Sequence, residues 1–499
     1  MAISISSRKL LTLIFLVGFV DLSLQILAGR MLTPYFGSSV YTWGSVIGVF
    51  MIILALGYYI GGHVSKKRFS HLVPLFLLSS VFFICVTVFS GQLVLEFIRE
   101  LGISSQYAAI PSVLILFGPP SFLLALLTPL AVELLGTKRK GEASGSIFAT
   151  GTIGSIFGAF GATFLLIPSF ALETSFFILA GILLMSFFLL PSFRKNSVLF
   201  FIICVFVILS AIIVNTTQTA DAELVYKTQT PYQQLEVRDE DGIRKLYLDG
   251  QTQSGMRLDA PYQHVYLYTR FFELPFLLKD EIIDVLFIGG GGFTGPRTFA
   301  ARGMNVDVVE LDPGVAKAAK EYFLIDDDMM NIVVDDGRYF LSGTDKQYDL
   351  IILDAYRKDR IPFHMATTEF YELIESRLVN DGIFLSNLIA YRDGEDSLFY
   401  RTMYYTLKET FPNTFAFETR KPNVLQNIEL LAIKTNSSIG VEYFDTLSTM
   451  RHPYGYNIAK ELSQQITAIS NDDVVLLRDN KAPLDSLTSS IADAEFALS

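Results

Sequence analysis

The chain has 499 residues, 51% of them apolar, and a formal net charge of −11. This length and apolar content exceed those of a single soluble domain. The acidic net charge argues against a nucleic-acid partner, because proteins bind nucleic acids through a basic surface. Both cysteines, Cys85 and Cys204, lie in apolar blocks, so the sequence indicates neither a disulfide framework nor a cysteine metal site.

The first 215 residues are predicted to form an α-helical transmembrane bundle of about seven spans. A helix needs about 20 mostly apolar residues to cross the hydrocarbon core of a bilayer. The stretches that meet this requirement are Leu10–Ala28, Val40–Ile60, Leu72–Ser90, Ala108–Ala131, Ser146–Ile167, Phe170–Leu190 and Val198–Val214. We therefore expect a multi-pass protein of the cell membrane.

Basic residues are distributed unevenly between the loops that join these spans. Most of them fall on the side of the N-terminus, and the other side holds only Arg30 and Arg99. The positive-inside rule then predicts a cytoplasmic N-terminus. An odd number of spans would place the C-terminal half outside the cytoplasm, unless one segment is re-entrant. The stretch Gly118-Pro119-Pro120 is the candidate for such a segment, so the side of the C-terminal half stays open.

Polar residues inside the spans admit two readings. Asp21 and Gln25 lie one helical turn apart, which allows a polar site between helices, or a pair that lies near the helix end or packs against Arg30. In the fifth span, small residues recur every three to four positions, a pattern that favours close helix packing. These residues are Gly151, Gly154, Gly158 and Gly161.

After the apolar half, the composition becomes that of a soluble α/β domain. We predict a linker and small β module over residues 216–280, with a β-hairpin from Lys227 to Gly255. A Rossmann-like, methyltransferase-type nucleoside-binding domain follows over residues 281–458. The C-terminal extension, residues 459–499, has no predicted role.

The Rossmann-like prediction begins with a glycine-rich loop. Asp284–Ile288 is a short apolar strand that runs directly into Gly289, Gly290, Gly291 and Gly292. Glycines at this place let the backbone turn sharply and approach a ligand. A second strand, Val306–Val309, ends at Glu310, where a carboxylate can accept hydrogen bonds from both hydroxyls of a ribose.

Two further strand ends carry carboxylates. Asp336, followed by Gly337, comes after a third short strand and can reach an adenine amino group. Tyr348–Leu353 is a fourth strand, and Asp354 follows it at the edge where ligands of such sheets bind. The alternative reading of Asp336 is an ordinary turn residue, and that of Asp354 is a helix cap.

This order of motifs resembles the polyamine aminopropyltransferases, the spermidine synthase family. The resemblance covers roughly residues 230–458 and rests on Tyr232-Gln233, Leu248-Asp249-Gly250, Gln253, Tyr262-Gln263-His264, the Gly289 loop, Glu310, Asp336-Gly337 and Asp354. Further segments are similar to the branch of the family that is fused to a membrane domain. They are Asp354-Ala355-Tyr356, Ile361–His364, Thr368–Tyr371 and Asp479–Pro483.

The resemblance implies transfer of an aminopropyl group from decarboxylated S-adenosylmethionine to an amine or polyamine, without a metal, and it allows a homodimer. By the same resemblance Asp354 is the catalytic base, Glu310 holds the ribose and Asp336 reads the adenine. The other implied cofactor-binding residues are Gln233, Gly289, Gly290, Gly291 and Gly337. The implied substrate-binding residues are Tyr262, Gln263 and Tyr356.

Two departures from the family pattern leave other functions open. Gly292 stands where soluble members have an aspartate that binds the amine of the donor, and Arg357 follows the base where an acidic residue is usual. A cation at that point disfavours a polyamine and could instead bind the carboxylate of S-adenosylmethionine. The alternatives are therefore an S-adenosylmethionine-dependent methyltransferase and a catalytically inactive nucleoside-binding sensor or transport partner.

Overall fold

The computed structural model divides the chain into two compact units, Met1–Ala222 and Glu223–Ser499. The described residues are 6–37, 39–64, 72–135, 140–190, 198, 200–207, 223–356, 362–420, 424–440, 442–488, 491 and 494.

The first unit is helical throughout the residues that are described. Its helices are α1 (Ser7–Phe36), α2 (Val40–Val64), α3 (Val73–Glu100), α4 (Ser105–Leu116), α5 (Gly118–Leu135), α6 (Lys140–Gly161), α7 (Ile167–Ser169) and α8 (Leu172–Ser186). A π-helical turn, Ala162–Leu166, joins α6 to α7, and a 3₁₀ turn, Phe187–Leu189, follows α8.

Six helical segments of this part are long and apolar enough to cross a membrane. They are Ser7–Phe36, Val40–Val64, Val73–Glu100, Gly118–Leu135, Lys140–Ser169 and Leu172–Leu189, and they correspond to the first six predicted spans. Of the seventh predicted span, Val198–Val214, only residues 198 and 200–207 are described, as helix, so most of this prediction lies outside the described residues.

The fourth predicted span, Ala108–Ala131, is not one continuous helix. It breaks at Phe117 into α4 and α5, and only α5, with 18 residues, is long enough to count as a span. Pro119 and Pro120 follow the break, and a proline offers no N–H to the preceding helical turn. The break therefore lies where a re-entrant segment was considered, while the sidedness of both units stays a prediction.

The glycines of α6 pack against α1, as predicted. A Cβ atom on Gly154 would lie 2.1 Å from the carbonyl oxygen of Phe15, and one on Gly158 would lie 2.2 Å from that of Phe19. Ser23 Oγ also donates to the Gly158 carbonyl oxygen at 3.0 Å. The two backbones thus approach each other to a distance that only small residues allow.

Asp21 lies at the middle of α1, so the reading that places it near a helix end is wrong. Its side chain and that of Gln25 are both buried. Among the described residues Asp21 Oδ1 has no hydrogen-bond partner. A buried carboxyl group in such an apolar setting is costly.

The second unit begins with a four-stranded antiparallel meander, which replaces the predicted hairpin. Its strands pair in the order β1 (Leu224–Gln229), β2 (Gln234–Glu240), β3 (Ile243–Leu248) and β4 (Gln251–Arg257). Apolar side chains alternate along β2 and β3, so one face of the meander packs into the core of this unit through Leu235, Val237, Leu246 and Leu248.

The main sheet of the unit has seven strands in the order β10-β11-β9-β8-β5-β6-β7. The strands are β5 (Asp284–Ile288), β6 (Asn305–Glu310), β7 (Asn331–Val334), β8 (Tyr348–Leu353), β9 (Leu378–Ala390), β10 (Asn413–Glu418) and β11 (Gln426–Ile433). β5 to β9 pair in parallel, while β11 pairs antiparallel with both β9 and β10. β5 and β8 begin and end where the sequence predicted, and the Rossmann-like fold class is confirmed.

Short helices connect and cover these strands. They are α9 (Pro275–Leu278), α10 (Thr294–Ala301), α11 (Pro313–Tyr322), α12 (Gly337–Gly343), α13 (Thr368–Arg377), α14 (Leu398–Thr410), α15 (Tyr443–Leu447), α16 (Ala459–Leu462) and α17 (Leu484–Leu487). Three 3₁₀ segments, Tyr268–Glu273, Phe363–Met365 and Glu395–Ser397, complete the described elements. The crossovers place the ends of β5, β6, β7 and β8 along one edge of the sheet.

Candidate active site

A cavity of about 370 Å³ lies at this edge of the sheet, within the second unit. In open α/β sheets, ligands bind outside the carboxyl ends of the strands. The predicted site residues that line the cavity are Gln233, Gly289, Gly291, Glu310, Asp336, Gly337, Asp354 and Tyr356. The structure therefore brings most of the predicted residues together in one place.

The glycine loop needs its glycines for two reasons. Gly289 has a φ of +92° and Gly291 a φ of +51°, which lie in the left-handed region that glycine tolerates best. A Cβ atom on Gly289 would also lie 2.5 Å from the backbone oxygen of Asp354. The loop can therefore approach both the base and a ligand because these positions carry no side chain.

Glu310, the last residue of β6, stabilises the same loop through its carboxylate. Its Oε2 accepts the Gly290 N–H at 3.0 Å, and its Oε1 accepts the Asp312 N–H at 2.9 Å. Burial raises the pKa of this carboxyl group, although the backbone N–H groups oppose the rise. Each carboxylate oxygen can accept two hydrogen bonds, so the carboxylate of Glu310 keeps acceptor capacity for a ligand hydroxyl.

Asp336 combines a structural role with a place in the cavity wall. Its Oδ1 caps α12 by accepting the N–H groups of Arg338 and Tyr339, both at 3.0 Å. Its Oδ2 lies 2.9 Å from Nε2 of His364. Burial works against ionisation, but the Tyr339 N–H and His364 together lower the pKa of Asp336. Asp336 is therefore a helix cap rather than an ordinary turn residue: one oxygen caps α12 and the other faces the cavity, while its role toward an adenine stays a prediction.

Asp354 is not followed by a helix at Ala355 or Tyr356, the two described residues after it, so the helix-cap reading finds no support in the described part of the chain. It follows β8, and its carboxylate accepts one hydrogen bond from Asn387 Nδ2 at 2.9 Å and one from Tyr268 Oη at 3.2 Å. Asn387 Oδ1 in turn accepts from Asn427 Nδ2 at 2.8 Å, which fixes the orientation of its amide. Burial raises the pKa of Asp354, and the two donors oppose that rise.

A second buried carboxyl group lies near this base. Glu429 on β11 is opposite Asn387 on β9 and is completely buried. Neither carboxylate oxygen has a hydrogen-bond partner among the described residues. Burial and the charge of Asp354 both raise the pKa of Glu429 well above its ordinary value. A buried carboxyl group whose ionisation is opposed by a neighbouring carboxylate is an arrangement found at binding and catalytic sites.

The β meander contributes one wall of the cavity. Gln233 donates from Nε2 to Asp312 Oδ2 at 3.1 Å, and Thr230 Oγ1 donates to the same oxygen at 2.6 Å. Ser254 accepts the Gly292 N–H at 2.9 Å, so the meander also supports the glycine loop. The meander is therefore part of the site as well as of the fold.

Two predicted substrate-binding residues do not reach the cavity. The side chains of Tyr262 and Gln263 are exposed and are absent from its lining. The ring of Tyr262 instead covers the guanidinium of Arg297, which is 4.8 Å from the ring centre. Tyr356 does line the cavity, where its hydroxyl donates to the carbonyl oxygen of Met365. Arg357, on which the alternative functions partly depend, lies outside the described residues.

Sequence reasoning missed Tyr268, Asn387, Glu429 and His364. Two of them left a visible signal, because Asn387 and Glu429 interrupt the apolar strands β9 and β11 with polar side chains. Tyr268 and His364 gave no comparable signal, since tyrosine and histidine are common in loops and turns. No group of three or more His, Cys, Asp or Glu residues suited to a metal was found in the described part of the chain.

Comparisons with known proteins point to one family. Residues 269–410 match the family model described as "Spermine/spermidine synthase domain". A probable polyamine aminopropyl transferase of Bifidobacterium longum is 32% identical over 164 residues, which is 32% of this chain and 36% of the relative. Polyamine aminopropyltransferase 2 of Aquifex aeolicus is 24% identical over 405 residues, which is 76% of this chain and 79% of the relative. The chain thus spans little more than a third of the first relative and most of the second.

A solved structure gives a similar match. The crystal structure of a probable spermidine synthase from Corynebacterium glutamicum superposes with a TM-score of 0.40 at 20% sequence identity. This match covers 46% of the present chain and 86% of the other.

Proposed function

Since the C-terminal part of the chain carries a spermine/spermidine synthase domain, we propose that the protein is an aminopropyltransferase. It would transfer the aminopropyl group of decarboxylated S-adenosylmethionine to an amine, and its helical unit would hold the enzyme in a membrane. The observation that carries this proposal is the buried carboxylate of Asp354, held by Tyr268 and Asn387 in the same cavity as Glu310 and the glycine loop.

The reaction requires one base and a fixed geometry. The neutral nitrogen of the acceptor attacks the carbon next to the sulfonium of the donor, the bond between that carbon and sulfur breaks, and its electron pair stays on sulfur. The products are methylthioadenosine and a secondary ammonium. Because the acceptor amine is protonated at neutral pH, a carboxylate must accept the one proton that frees the attacking nitrogen before the displacement.

Asp354 suits this role because its pKa lies above the ordinary value of 3.8. A base works best when its pKa approaches the operating pH, since proton transfer then gains driving force. Asn387 and Tyr268 point their donors at the carboxylate and fix its direction. Positioning of this kind supplies much of the rate of a displacement that needs an in-line approach.

The donor nucleoside would lie between the glycine loop and Asp336. Glu310 has acceptor positions left for ribose hydroxyls, and Asp336 has one left on Oδ2 for an amino group of the base. Gly289 and Gly291 allow the backbone to approach the ribose. Gln233 would complete this wall of the donor site from the side of the meander.

Gly292 supplies none of the negative charge with which an aspartate at this position would bind the amine of the donor. An aspartate at this position would not fit without rearrangement, because a Cβ atom on Gly292 would lie 3.0 Å from the Ser254 Cβ and 3.1 Å from the ring of Phe323. Glu429 is not assigned to the acceptor, because it does not line the cavity and because burial and the charge of Asp354 raise its pKa well above the ordinary value.

Product analysis tests the proposal. The purified full chain in detergent is incubated with decarboxylated S-adenosylmethionine and, separately, putrescine, spermidine and a longer diamine, and methylthioadenosine is quantified by chromatography. We expect transfer to at least one amine and its loss in Asp354→Asn. Asp345→Asn is the matched control, because Asp345 is exposed and lies outside the cavity.

Two results would contradict the proposal. One is formation of S-adenosylhomocysteine from S-adenosylmethionine at a rate that exceeds any aminopropyl transfer, which would identify a methyltransferase. The other is the absence of methylthioadenosine with every amine, together with no binding of either nucleoside. The membrane part is tested separately, by carbonate extraction of cell membranes and by protease treatment of vesicles in both orientations, for which the charge distribution predicts a cytoplasmic N-terminus.

A further inference from the structure

The C-terminal extension reaches the rim of the donor site through one residue, Asp479. Its two carboxylate oxygens each accept a hydrogen bond from the guanidinium of Arg338 at 2.6 Å. Asp479 Oδ1 also accepts from Thr367 Oγ1 at 2.7 Å, and the Asp479 N–H donates to Glu369 Oε2 at 3.0 Å. A two-point contact between guanidinium and carboxylate fixes direction as well as distance.

Arg338 carries this contact onward to the cavity. Its Nη1 donates to the carbonyl oxygen of His364 at 2.7 Å. The imidazole of His364 lies 2.9 Å from Asp336 Oδ2, and both of these residues line the cavity. Asp479 and Arg338 do not line it. A continuous set of hydrogen bonds therefore runs from the C-terminal extension to the carboxylate that faces the purine end of the donor site.

The extension is attached to the domain by other bonds, so its place does not depend on Asp479 alone. The Thr368 N–H donates to the Leu477 carbonyl oxygen at 2.9 Å, and the Leu477 N–H donates to Thr406 Oγ1 at 3.1 Å. The side chain of Leu477 is completely buried. A change at Asp479 should consequently loosen Arg338 while the extension stays in place.

We propose that Asp479 is a positioning residue for base recognition, which acts through Arg338 to hold His364 against Asp336. This inference rests on the proposed function, because it takes the ligand to be an adenine nucleoside. Asp336 Oδ1 already accepts two backbone N–H groups, and Oδ2 accepts His364, so one acceptor position is left. His364 determines where that position points.

The free position on the Asp336 carboxylate can accept a hydrogen bond but cannot donate one. It matches the amino group of adenine and is repelled by the carbonyl oxygen that hypoxanthine has in the same place. A mobile His364 would let Asp336 Oδ2 bind water in several directions, which weakens this discrimination. The strength of the contact between Arg338 and Asp479 should therefore be measurable as selectivity for the base.

Binding of two nucleosides tests the inference. Methylthioadenosine and methylthioinosine are titrated by calorimetry into the purified full chain and into Asp479→Asn, which removes the charge with little change of shape. We expect affinity for methylthioadenosine to fall by about tenfold, which corresponds to about 1.4 kcal/mol, because a loosened His364 no longer fixes the free acceptor position of Asp336. The preference over methylthioinosine should shrink as well. In the transfer assay, KM for the donor should rise while kcat stays the same.

Asp239→Asn is the matched control. Asp239 also forms a two-point contact with an arginine, Arg244, at 2.8 and 2.7 Å, and it lies on the meander outside the cavity lining. This variant should bind both nucleosides as the unmodified chain does.

The outcomes separate this inference from the proposed function. If the unmodified chain prefers methylthioadenosine and Asp479→Asn keeps both affinity and preference, the inference is overturned and the proposed function stands. An equal loss of affinity in Asp479→Asn and Asp239→Asn would also overturn it, because the effect would then be one of general stability. If the unmodified chain binds no nucleoside, both are overturned.

Discussion

Replacing Tyr268 by phenylalanine removes one of the two donors that face the Asp354 carboxylate and leaves the ring in place. A hydrogen bond to a charged group is worth about 1.5–3 kcal/mol. The distance between Tyr268 Oη and Asp354 Oδ2 is 3.2 Å, which is long for such a bond and favours the lower end of that range. Since about 1.4 kcal/mol corresponds to one pKa unit, the pKa of Asp354 should rise by about one unit.

The sign of the effect on activity follows from the role of a base. Asp354 must be ionised to accept a proton, and burial already places its pKa above the ordinary 3.8. In Tyr268→Phe, activity should therefore begin to fall at a pH about one unit higher than in the unmodified enzyme as the solution is acidified. The plateau rate at higher pH should change much less.

The measurement is the pH profile of methylthioadenosine formation under single-turnover conditions. Tyr404→Phe is the control, since Tyr404 is also buried and donates its hydroxyl to Thr414, far from the cavity lining. An acid limb that stays in place in Tyr268→Phe, while the variant remains folded, would refute the assignment of Asp354 as the base. So would equal displacements in the two variants.

Two pairs of glycine substitutions test the close contacts of the glycine loop and of the helices α1 and α6. Gly289→Ala should lower the free energy of unfolding by about 1–3 kcal/mol and abolish nucleoside binding, because φ is +92° and the added Cβ would lie 2.5 Å from the backbone oxygen of Asp354. Gly343→Ala is its control, because the added atom meets nothing within 4 Å, and it should change neither quantity. Thermal unfolding and calorimetry of the full chain measure the two effects. Gly154→Leu should prevent the close approach of α6 to α1 and reduce the yield of folded protein in detergent, whereas Gly48→Leu, where a Cβ meets nothing within 4 Å, should not. Equal losses in either pair would contradict the packing argument.

Local signals predicted much of the second unit. The strands Asp284–Ile288 and Tyr348–Leu353 are short apolar runs bounded by glycine or by charged residues, and they are buried on both faces in the structure. The carboxylates that follow such strands meet at one edge of a parallel sheet, which is why Glu310, Asp336 and Asp354 were predicted to lie together. The first six predicted spans also follow from local apolar content alone.

Contacts between distant strands could not be predicted in this way. Asn387 and Glu429 lie on β9 and β11, which become neighbours because β11 inserts between β9 and β10. Tyr262 and Tyr268 are the same residue type and lie six positions apart in the sequence. Only Tyr268 reaches the base, while the ring of Tyr262 covers Arg297. The choice between them depends on how the 3₁₀ segment Tyr268–Glu273 packs on the sheet, which a motif does not encode.

Local patterns along the chain were enough to predict the two-part architecture, the order of the strands and the carboxylates at their ends, because apolar runs and the residues that end them act over a few positions. Which side chains surround those carboxylates depends on the folded structure. It placed Tyr268 and Asn387 on Asp354, and it joined the C-terminal extension to the donor site through Asp479 and Arg338. Arg338 and Asp479 are more than a hundred residues apart in the chain. Contacts of this kind depend on the packing of the whole unit rather than on any local preference.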